Sequence, residues 1–379
     1  MSRTQDEGRL QDLRRELEDI NHAMLRLLGR RGRVVRQVGE LKRELGMPLF
    51  VPQREQQMLE RLVQSNPGPF PEQTIRHLFR EIFSASVALM EQQQEGNLQV
   101  CRRQGEPVCS IPLAGLTVGS GQPVIIAGPC AVESRSQMEM VASGLRRLGV
   151  RLLRGGTFKP RTSPYSFQGM GEPGLKLLAQ VARENSLATV TEVMDTRHVQ
   201  LVAEYADVLQ IGARNMHNYS LLKEVGLCRK PVLLKRGLAA TLKELLLAAE
   251  YIWSQGNQQI ILCERGIRTF EREYRNTLDI SAVPLLKQSS RLPVIVDVSH
   301  AAGRKDILAA LARAALAAGC DGIMVEVHPF PVVARSDNQQ QLDLDEFARF
   351  LEQVDPRASW QGFTGEPSAA PRRRQGGQA

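Results

Sequence analysis

No apolar run in the 379 residues approaches the ~18 needed to cross a bilayer, so no membrane span is expected. The opening stretch MSRTQDEGRL has no apolar h-region, so no secretory signal is expected and the chain reads as cytoplasmic. Cysteine is sparse and scattered: Cys101, Cys109, Cys130, Cys228, Cys263 and Cys320, with no CxxC pair. In a chain of this size that pattern reads as free thiols, most of them inert in the core. Aromatic residues make up only 5%, and no zinc finger, recognition helix or aromatic-rich platform accompanies the formal charge of +8. The charge is therefore assigned to a solvated tail, PRRRQGGQA, and to anion-binding sites, and nucleic acid is not an expected partner. The 42% hydrophobic and 24% charged fractions exclude a wholly disordered or collagen-like chain. The length suits one large domain and one small one.

Residues 1–95 carry helical periodicity. Leu10, Leu13, Leu17, Ile20, Met24, Leu27 and Leu28 recur at steps of three and four, and Val34, Val35, Val38, Leu41 and Leu45 continue the stripe to Gly46. A second helix follows Pro52, the segment NPGPFP breaks the chain, and a third helix covers roughly 72–93. A lone helix of nearly forty residues cannot bury such a stripe, so this all-α domain is expected to form an intertwined homodimer. Residues 96–122 read as a linker with a short strand pair, IPLA and LTVG.

From residue 123 to 355 the period changes. The runs PVIIAG, VRLLRG, LATVTE, DVLQIG, PVLLKRG, QIILCERG, PVIVDVSH and DGIMVEVHP alternate with amphipathic helices. Near-continuous Val, Ile and Leu suit strands buried on both faces of a parallel sheet. Eight β-then-α units in series predict an α/β fold, a (β/α)8 TIM barrel, with an open doubly wound sheet as the runner-up. The last helix is LDEFARFLEQV, and residues 356–379 read as a disordered tail.

A barrel demands that chemistry sit at the C-terminal ends of its strands. There the sequence presents Cys130, Arg154, Glu192, Arg214, Lys235, Arg265, His300 and Glu326. Singly, each cation reads as a surface salt bridge. Together Arg154, Lys159, Arg214, Lys235 and Arg265 would repel one another around one mouth unless anions filled it. The expected ligand is a small, multiply anionic metabolite such as a phosphorylated carboxylic acid. Cys130, His300, Glu326 and Asp337 form a second set. Barrel adjacency of the first, seventh and eighth strands raises it from packed thiol and satisfied histidine to a mixed S/N/O metal site. Its donors suit one divalent ion, with manganese favoured and iron, cobalt and zinc as alternatives. A metal beside such a pocket implies a Lewis acid polarising a carbonyl.

The barrel half resembles the 3-deoxy-D-arabino-heptulosonate 7-phosphate (DAHP) synthase family, in its short type I subclass. The likeness rests on AGPCAVES, RGGTFKPRTSPYSFQG, QIGARN, LLKRG, LCERGIRTFE, RNTLDISAVP, DVSH and GIMVEVHP followed by ARSDNQQQL. It implies that Cys130, His300, Glu326 and Asp337 hold the metal. Arg154, Lys159, Arg214, Lys235 and Arg265 would bind phosphoenolpyruvate, and Arg161, Thr162 and Ser163 would bind erythrose 4-phosphate. Lys159 and Glu192 would handle protons. The related 3-deoxy-D-manno-octulosonate 8-phosphate synthases are the alternative. They are expected to carry Asn before the arginine, where this chain has the KPRTS stretch Lys159-Pro160-Arg161-Thr162-Ser163. Val298 departs from the Pro usual in the family's DPSH run, and only a local backbone change is expected.

The helical half, roughly 8–92, resembles the all-α chorismate mutases through LQDLRRELEDI, LLGRRGRVVRQVGELK, QREQQMLERL and IFSAS. The likeness transfers Arg14, Arg31, Lys42, Arg54, Glu55 and Ser86 to a chorismate or prephenate site. Arg31 and Lys42, eleven residues apart, project within ~20° of one another on a helix. Arg14 lies roughly 25 Å from Arg31 along the helix and should serve the partner chain's site. Val51 stands where the family commonly has Asp, and Met90 where it commonly has Gln. The expectation is therefore weak rearrangement of chorismate, feedback binding of chorismate or prephenate, or both. The competing reading makes this domain only an assembly or docking module. A homo-oligomer, a dimer through the helical domain or a tetramer, is expected.

Overall fold

The computed structural model describes residues 3–45, 47–95, 98–103, 105–159 and 165–354. The expected disordered tail, 356–379, lies outside the described residues. The chain divides into two compact units, Met1–Leu98 and Gln99–Ala379.

The first unit is built from α1 (Arg3–Glu44), α2 (Pro52–Gln64) and α3 (Glu72–Glu95). Pro52 opens α2 in its first turn, behind an extended Val51 at φ −132°. There the missing N–H has no helical partner to lose. Close packing of α1 on α3 depends on Gly39, where a β-carbon would stand 3.0 Å from Met90 Cγ. The apolar stripe of α1 stays open in the single chain, with Leu13 50% and Leu17 60% exposed.

The second unit begins with an antiparallel hairpin, β1 (Ile111–Leu113) and β2 (Leu116–Val118). Eight parallel strands follow: β3 (Val124–Gly128), β4 (Leu152–Arg154), β5 (Ala188–Glu192), β6 (Val208–Ile211), β7 (Val232–Lys235), β8 (Ile260–Glu264), β9 (Val294–Asp297) and β10 (Gly322–Glu326). They close in the order β10-β3-β4-β5-β6-β7-β8-β9, so the open-sheet alternative is set aside. The helices between and after them are α4 (Arg135–Arg147), α5 (Gly171–Glu184), α6 (Val199–Tyr205), α7 (Tyr219–Leu227), α8 (Leu242–Trp253), α9 (Ala282–Ser289), α10 (Val298–Ala302), α11 (Leu308–Ala317) and α12 (Leu344–Val354).

Every residue of these eight strands is buried, as their continuous apolar runs require of strands covered on both sides. The apolar atoms sort into two layers. Ile111, Leu113, Leu116 and Val118 of the hairpin join Val124, Ile126, Leu152, Val190, Leu233, Ile295 and Met324 inside the barrel. Val141, Leu145, Leu178, Val296, Val325 and Phe347 pack in the layer between strands and helices. Filling the lumen with side chains leaves only the C-terminal rim for chemistry. Among the described residues no helix is long and apolar enough to cross a membrane.

The fold also assigns the thiols. Burial pushes Cys263 and Cys320 up to about 12, while Cys109 is only partly buried. At pH 8 a thiol near 12 is ionised to only about one part in 10⁴, and the thiolate is the nucleophile. Native protein treated with iodoacetamide at pH 8 should therefore keep Cys263 and Cys320 unmodified by peptide mass mapping. Both should react once the chain is unfolded.

Candidate active site

The rim inherits its chemistry from where each strand stops. Arg154, Glu192, Lys235 and Glu326 are the last residues of β4, β5, β7 and β10. Cys130 lies two residues past β3, Arg265 one past β8, and Arg214 sits in a short 3-10 turn after β6. The expectation that His300 ends the seventh strand is corrected: β9 stops at Asp297, and His300 lies on the short helix α10. The cause is local capping, because the Asp297 side chain accepts from the His300 N–H at 3.0 Å and turns the chain there.

These ends surround one cavity. Its wall carries seven basic side chains, Arg154, Lys159, Arg214, Lys235, Arg265, Arg268 and Arg275, with Glu192, Asp337, Gln210, Asn276 and His300. Two glycines make the space. A β-carbon at Gly212 would stand 2.0 Å from Glu192 Oε1, and one at Gly156 would stand 3.0 Å from Lys159 Nζ.

The ligand atoms of Cys130, His300, Glu326 and Asp337 all lie within 4.8 Å of one another. Cys130 Sγ is 3.3 Å from Asp337 Oδ2, and His300 Nε2 is 3.5 Å from Glu326 Oε1 and 3.6 Å from Asp337 Oδ2. Four donors bound at ~2.0–2.3 Å around one ion are spaced ~3.3–3.7 Å apart, so the set fits a common metal. The register brings the donors together, because β10 pairs with β3 and sets Glu326 opposite Gly128, two residues before Cys130. Asp337 takes a left-handed backbone, φ 49°, which aspartate tolerates better than most side chains. Asp297 Oδ2 lies 2.8 Å from His300 Nδ1. Asp297 is held ionised, and an ionised carboxylate can only accept, so Nδ1 carries the hydrogen and Nε2 turns its lone pair toward the other donors.

The electrostatics corrects the expectation of five mutually repelling cations. Arg154 is paired with Glu326 at 2.5 Å, and Lys235 with Asp297 at 2.5 Å. Lys159 Nζ donates to the Cys130 carbonyl at 2.9 Å and lies 3.1 Å from its sulfur. Burial, reinforced by Glu326, pushes the Cys130 thiol up to about 12 against the opposing pull of Lys159. Burial also lowers His300 below its usual value, so the ring is neutral and able to ligate. Glu326 and Asp337 stay low against their burial, with the Arg154 guanidinium favouring the charge of the first and Arg275 that of the second. For Arg265, which has no ion pair among the described residues, burial dominates and lowers its value.

Of the residues singled out from the sequence, the mouth gathers Cys130, Arg154, Lys159, Glu192, Arg214, Lys235, Arg265, His300, Glu326 and Asp337. Arg161, Thr162 and Ser163 lie outside the described residues. Several contributors escaped sequence reasoning. Asp297 joins the lysine to the histidine, and its signal was the acid in DVSH. Gln340 Nε2 donates to Glu326 Oε2 at 2.5 Å, and Gln341 Oε1 accepts from the Cys130 N–H at 2.9 Å. Arg268, Arg275 and Asn276 arrive on the loop after β8. Nothing in the spacing of these residues marks them, because only the folded loops carry them inward.

The helical unit has its own pocket, lined by Arg31, Lys42, Arg54, Glu55 and Ser86 over an apolar floor that includes Val51, Met58, Phe83 and Met90. Arg31 donates to Ser86 Oγ and lies over the Phe83 ring, 5.4 Å from its centre. Lys42 donates to the Leu49 carbonyl at 2.7 Å. Arg14 is exposed on α1 and is not part of this lining.

Known proteins resemble both units. Residues 93–359 match the family model described as DAHP synthetase I, and residues 13–91 match chorismate mutase type II. The chain is 53% identical over 244 residues to a phospho-2-dehydro-3-deoxyheptonate aldolase of Thermotoga maritima, covering 64% of this chain and 72% of that protein. It is 33% identical over 259 residues to a 2-dehydro-3-deoxyphosphooctonate aldolase of Syntrophobacter fumaroxidans, covering 63% and 88%. The crystal structure of the Thermotoga maritima enzyme aligns with a TM-score of 0.67 at 50% identity, over 70% of this chain and 77% of that one.

The cluster predicts a spectroscopic result. Cobalt(II) added to the full chain should give a thiolate charge-transfer band that is lost in Cys130→Ser. Asp297→Asn should keep the band but weaken cobalt binding about 10- to 100-fold, since it removes the acceptor that orients His300.

Proposed function

The chain belongs to the DAHP synthetase I family, and on that premise we propose that its barrel condenses phosphoenolpyruvate with erythrose 4-phosphate to give DAHP and inorganic phosphate. The observation that carries this reading is the coincidence, in one mouth, of seven basic side chains with the Cys130, His300, Glu326 and Asp337 cluster. Identity of 53% to the heptonate enzyme against 33% to the octonate enzyme supports the four-carbon aldehyde over a five-carbon one.

In this reading Arg265, Arg214, Lys235 and Arg154 bind the phosphate and carboxylate of phosphoenolpyruvate, arginine forks matching both groups. Carbon 3 of the enol attacks the aldehyde carbon, forming the new C–C bond. Water adds at carbon 2 and loses a proton, and the C–O bond to phosphate then breaks. Lys159 holds a proton at Nζ close to the reacting centre, and Glu192, placed over Gly212, orients or deprotonates the water. One divalent ion held by Cys130, His300, Glu326 and Asp337 would supply Lewis-acid polarisation of the aldehyde oxygen, with manganese favoured. Seven cations in a confined site bind ground-state charge as well as the transition state, and only the difference between the two raises kcat.

For the helical unit we propose a site for chorismate and prephenate that rearranges chorismate slowly and serves as a feedback receptor. Three cations suit a dicarboxylate, while Val51 leaves no partner for the substrate hydroxyl and the buried Met90 no donor to the breaking ether oxygen. The exposed leucines of α1 support a homodimer, in which Arg14 reaches the partner's pocket.

Purified chain with manganese should consume phosphoenolpyruvate and erythrose 4-phosphate one to one and release phosphate. A chelator should stop turnover, and Lys159→Ala should lower kcat by about 10²–10⁴. Faster turnover of a five-carbon aldose phosphate would assign the octulosonate reaction instead.

The helical pocket predicts a gain of function. Val51→Asp with Met90→Gln should raise chorismate rearrangement by about 10²–10³. Arg54→Ala should abolish inhibition of the synthase by prephenate. Inhibition that persists in Arg54→Ala would remove the receptor role from this pocket.

A further inference from the structure

Arg236 does not line the mouth, yet it is buried at 5% exposure between two carboxylates. Its NH1 is 2.8 Å from Glu264 Oε2 and 2.8 Å from Asp279 Oδ2, and its Nε donates to the Ala240 carbonyl at 2.8 Å. Glu264 has a second partner, the Gly266 N–H, 2.6 Å from Oε1. Gly266 and Asp279 are the two ends of the loop that leaves β8. Within that loop Ile267 and Thr277 exchange backbone hydrogen bonds at 2.9 Å, and it carries Arg268, Arg275 and Asn276 to the cavity. Glu264 and Arg236 thus gather both ends of the loop at its neck. Each is also the sequence neighbour of a cation on the cavity wall, Lys235 beside Arg236 and Arg265 beside Glu264. Alternation along the strand sends one of each pair inward and the other outward.

We infer that Arg236, Glu264 and Asp279 form a clasp that positions the cationic wall of the mouth, fixing the loop 266–279 and, with it, Lys235 and Arg265. These are positioning residues: none lines the cavity, and all act through residues that do. The inference rests on the phosphoenolpyruvate reading of that wall. A displacement of ~1 Å at such a site can cost ~10²-fold, so a loosened clasp shows first in affinity for the anion that the wall binds.

The test uses the full chain and three variants. Asp279→Ala removes one anchor that is itself partly exposed, Asp279→Asn keeps a neutral acceptor, and Arg236→Met with Glu264→Gln removes the two fully buried charges together, leaving only the partly exposed Asp279 without its cation. Asp279→Ala should raise KM for phosphoenolpyruvate about tenfold, with kcat and KM for erythrose 4-phosphate within about threefold. Asp279→Asn should recover much of that loss, and the double variant should repeat the selective effect. Amide hydrogen exchange in residues 266–278 of the substrate-free protein should quicken in Asp279→Ala. Unchanged exchange there overturns the clasp, as does an equal rise in both KM values or a lower melting temperature with unchanged phosphoenolpyruvate KM. Parent protein that fails to bind phosphoenolpyruvate in calorimetry would instead remove the substrate reading, with the exchange measurement still deciding the clasp.

Discussion

Closure of the barrel, through the pairing of β10 with β3, is the constraint on which the rest of the site depends. That pairing runs over five residues, from Gly322 opposite Val124 to Glu326 opposite Gly128. Side chains alternate along a strand, so a slip of one residue would turn Glu326 from the lumen toward the helices. The same register puts the sulfur of Cys130 and the carboxylate of Glu326 in one cluster with His300 of α10 and Asp337 of the loop after β10. A parallel sheet left open at this edge would have kept residues 130 and 326 at opposite margins.

Within that ring, the unusual feature is how much charge is buried and how it is balanced. Arg154, Lys235 and Arg236 are each nearly inaccessible, and each meets a carboxylate that is fully buried. Isolated buried charges are costly, and removing one partner of a buried pair costs about 3–5 kcal/mol. Replacing such pairs with apolar residues would often stabilise a fold, so their presence points to function. Asp297 illustrates the point. Its two oxygens are shared among the Lys235 ammonium, the His300 ring and the His300 N–H, so anion binding and metal ligation hang on one side chain. Held low by His300 and Lys235 against the effect of burial, it remains ionised and keeps both partners oriented.

The helical unit follows a different economy. Two shorter helices, α2 and α3, cannot enclose the 42-residue α1, and the stripe that a barrel would bury is left open to solvent or to a second copy. Its pocket is formed locally, by residues that α1 and α3 bring face to face across Gly39 and Met90. There three cations share the lining with mostly apolar side chains, whereas the barrel mouth is lined mostly by charged and polar ones.

Much of this was legible in the residues themselves. Runs of Val and Ile at regular intervals required eight buried parallel strands, the leucine stripe required a long helix, and strand-terminal Cys, Arg, Lys and Glu marked the rim. Those features are local, because period and strand position survive in one dimension. Asp297, Gln340, Gln341 and the Arg236 clasp were not legible, and the same holds for the pairing of cations with acids that tempers their repulsion. Their long-range partners lie 14 to 211 residues away in the chain, and hydrogen-bond geometry at such separations is set only when the loops pack. The sequence determined which chemistries are present and on which end of the barrel. The tertiary structure decided which of them touch, because contact depends on register and loop conformation, which no one-dimensional pattern encodes.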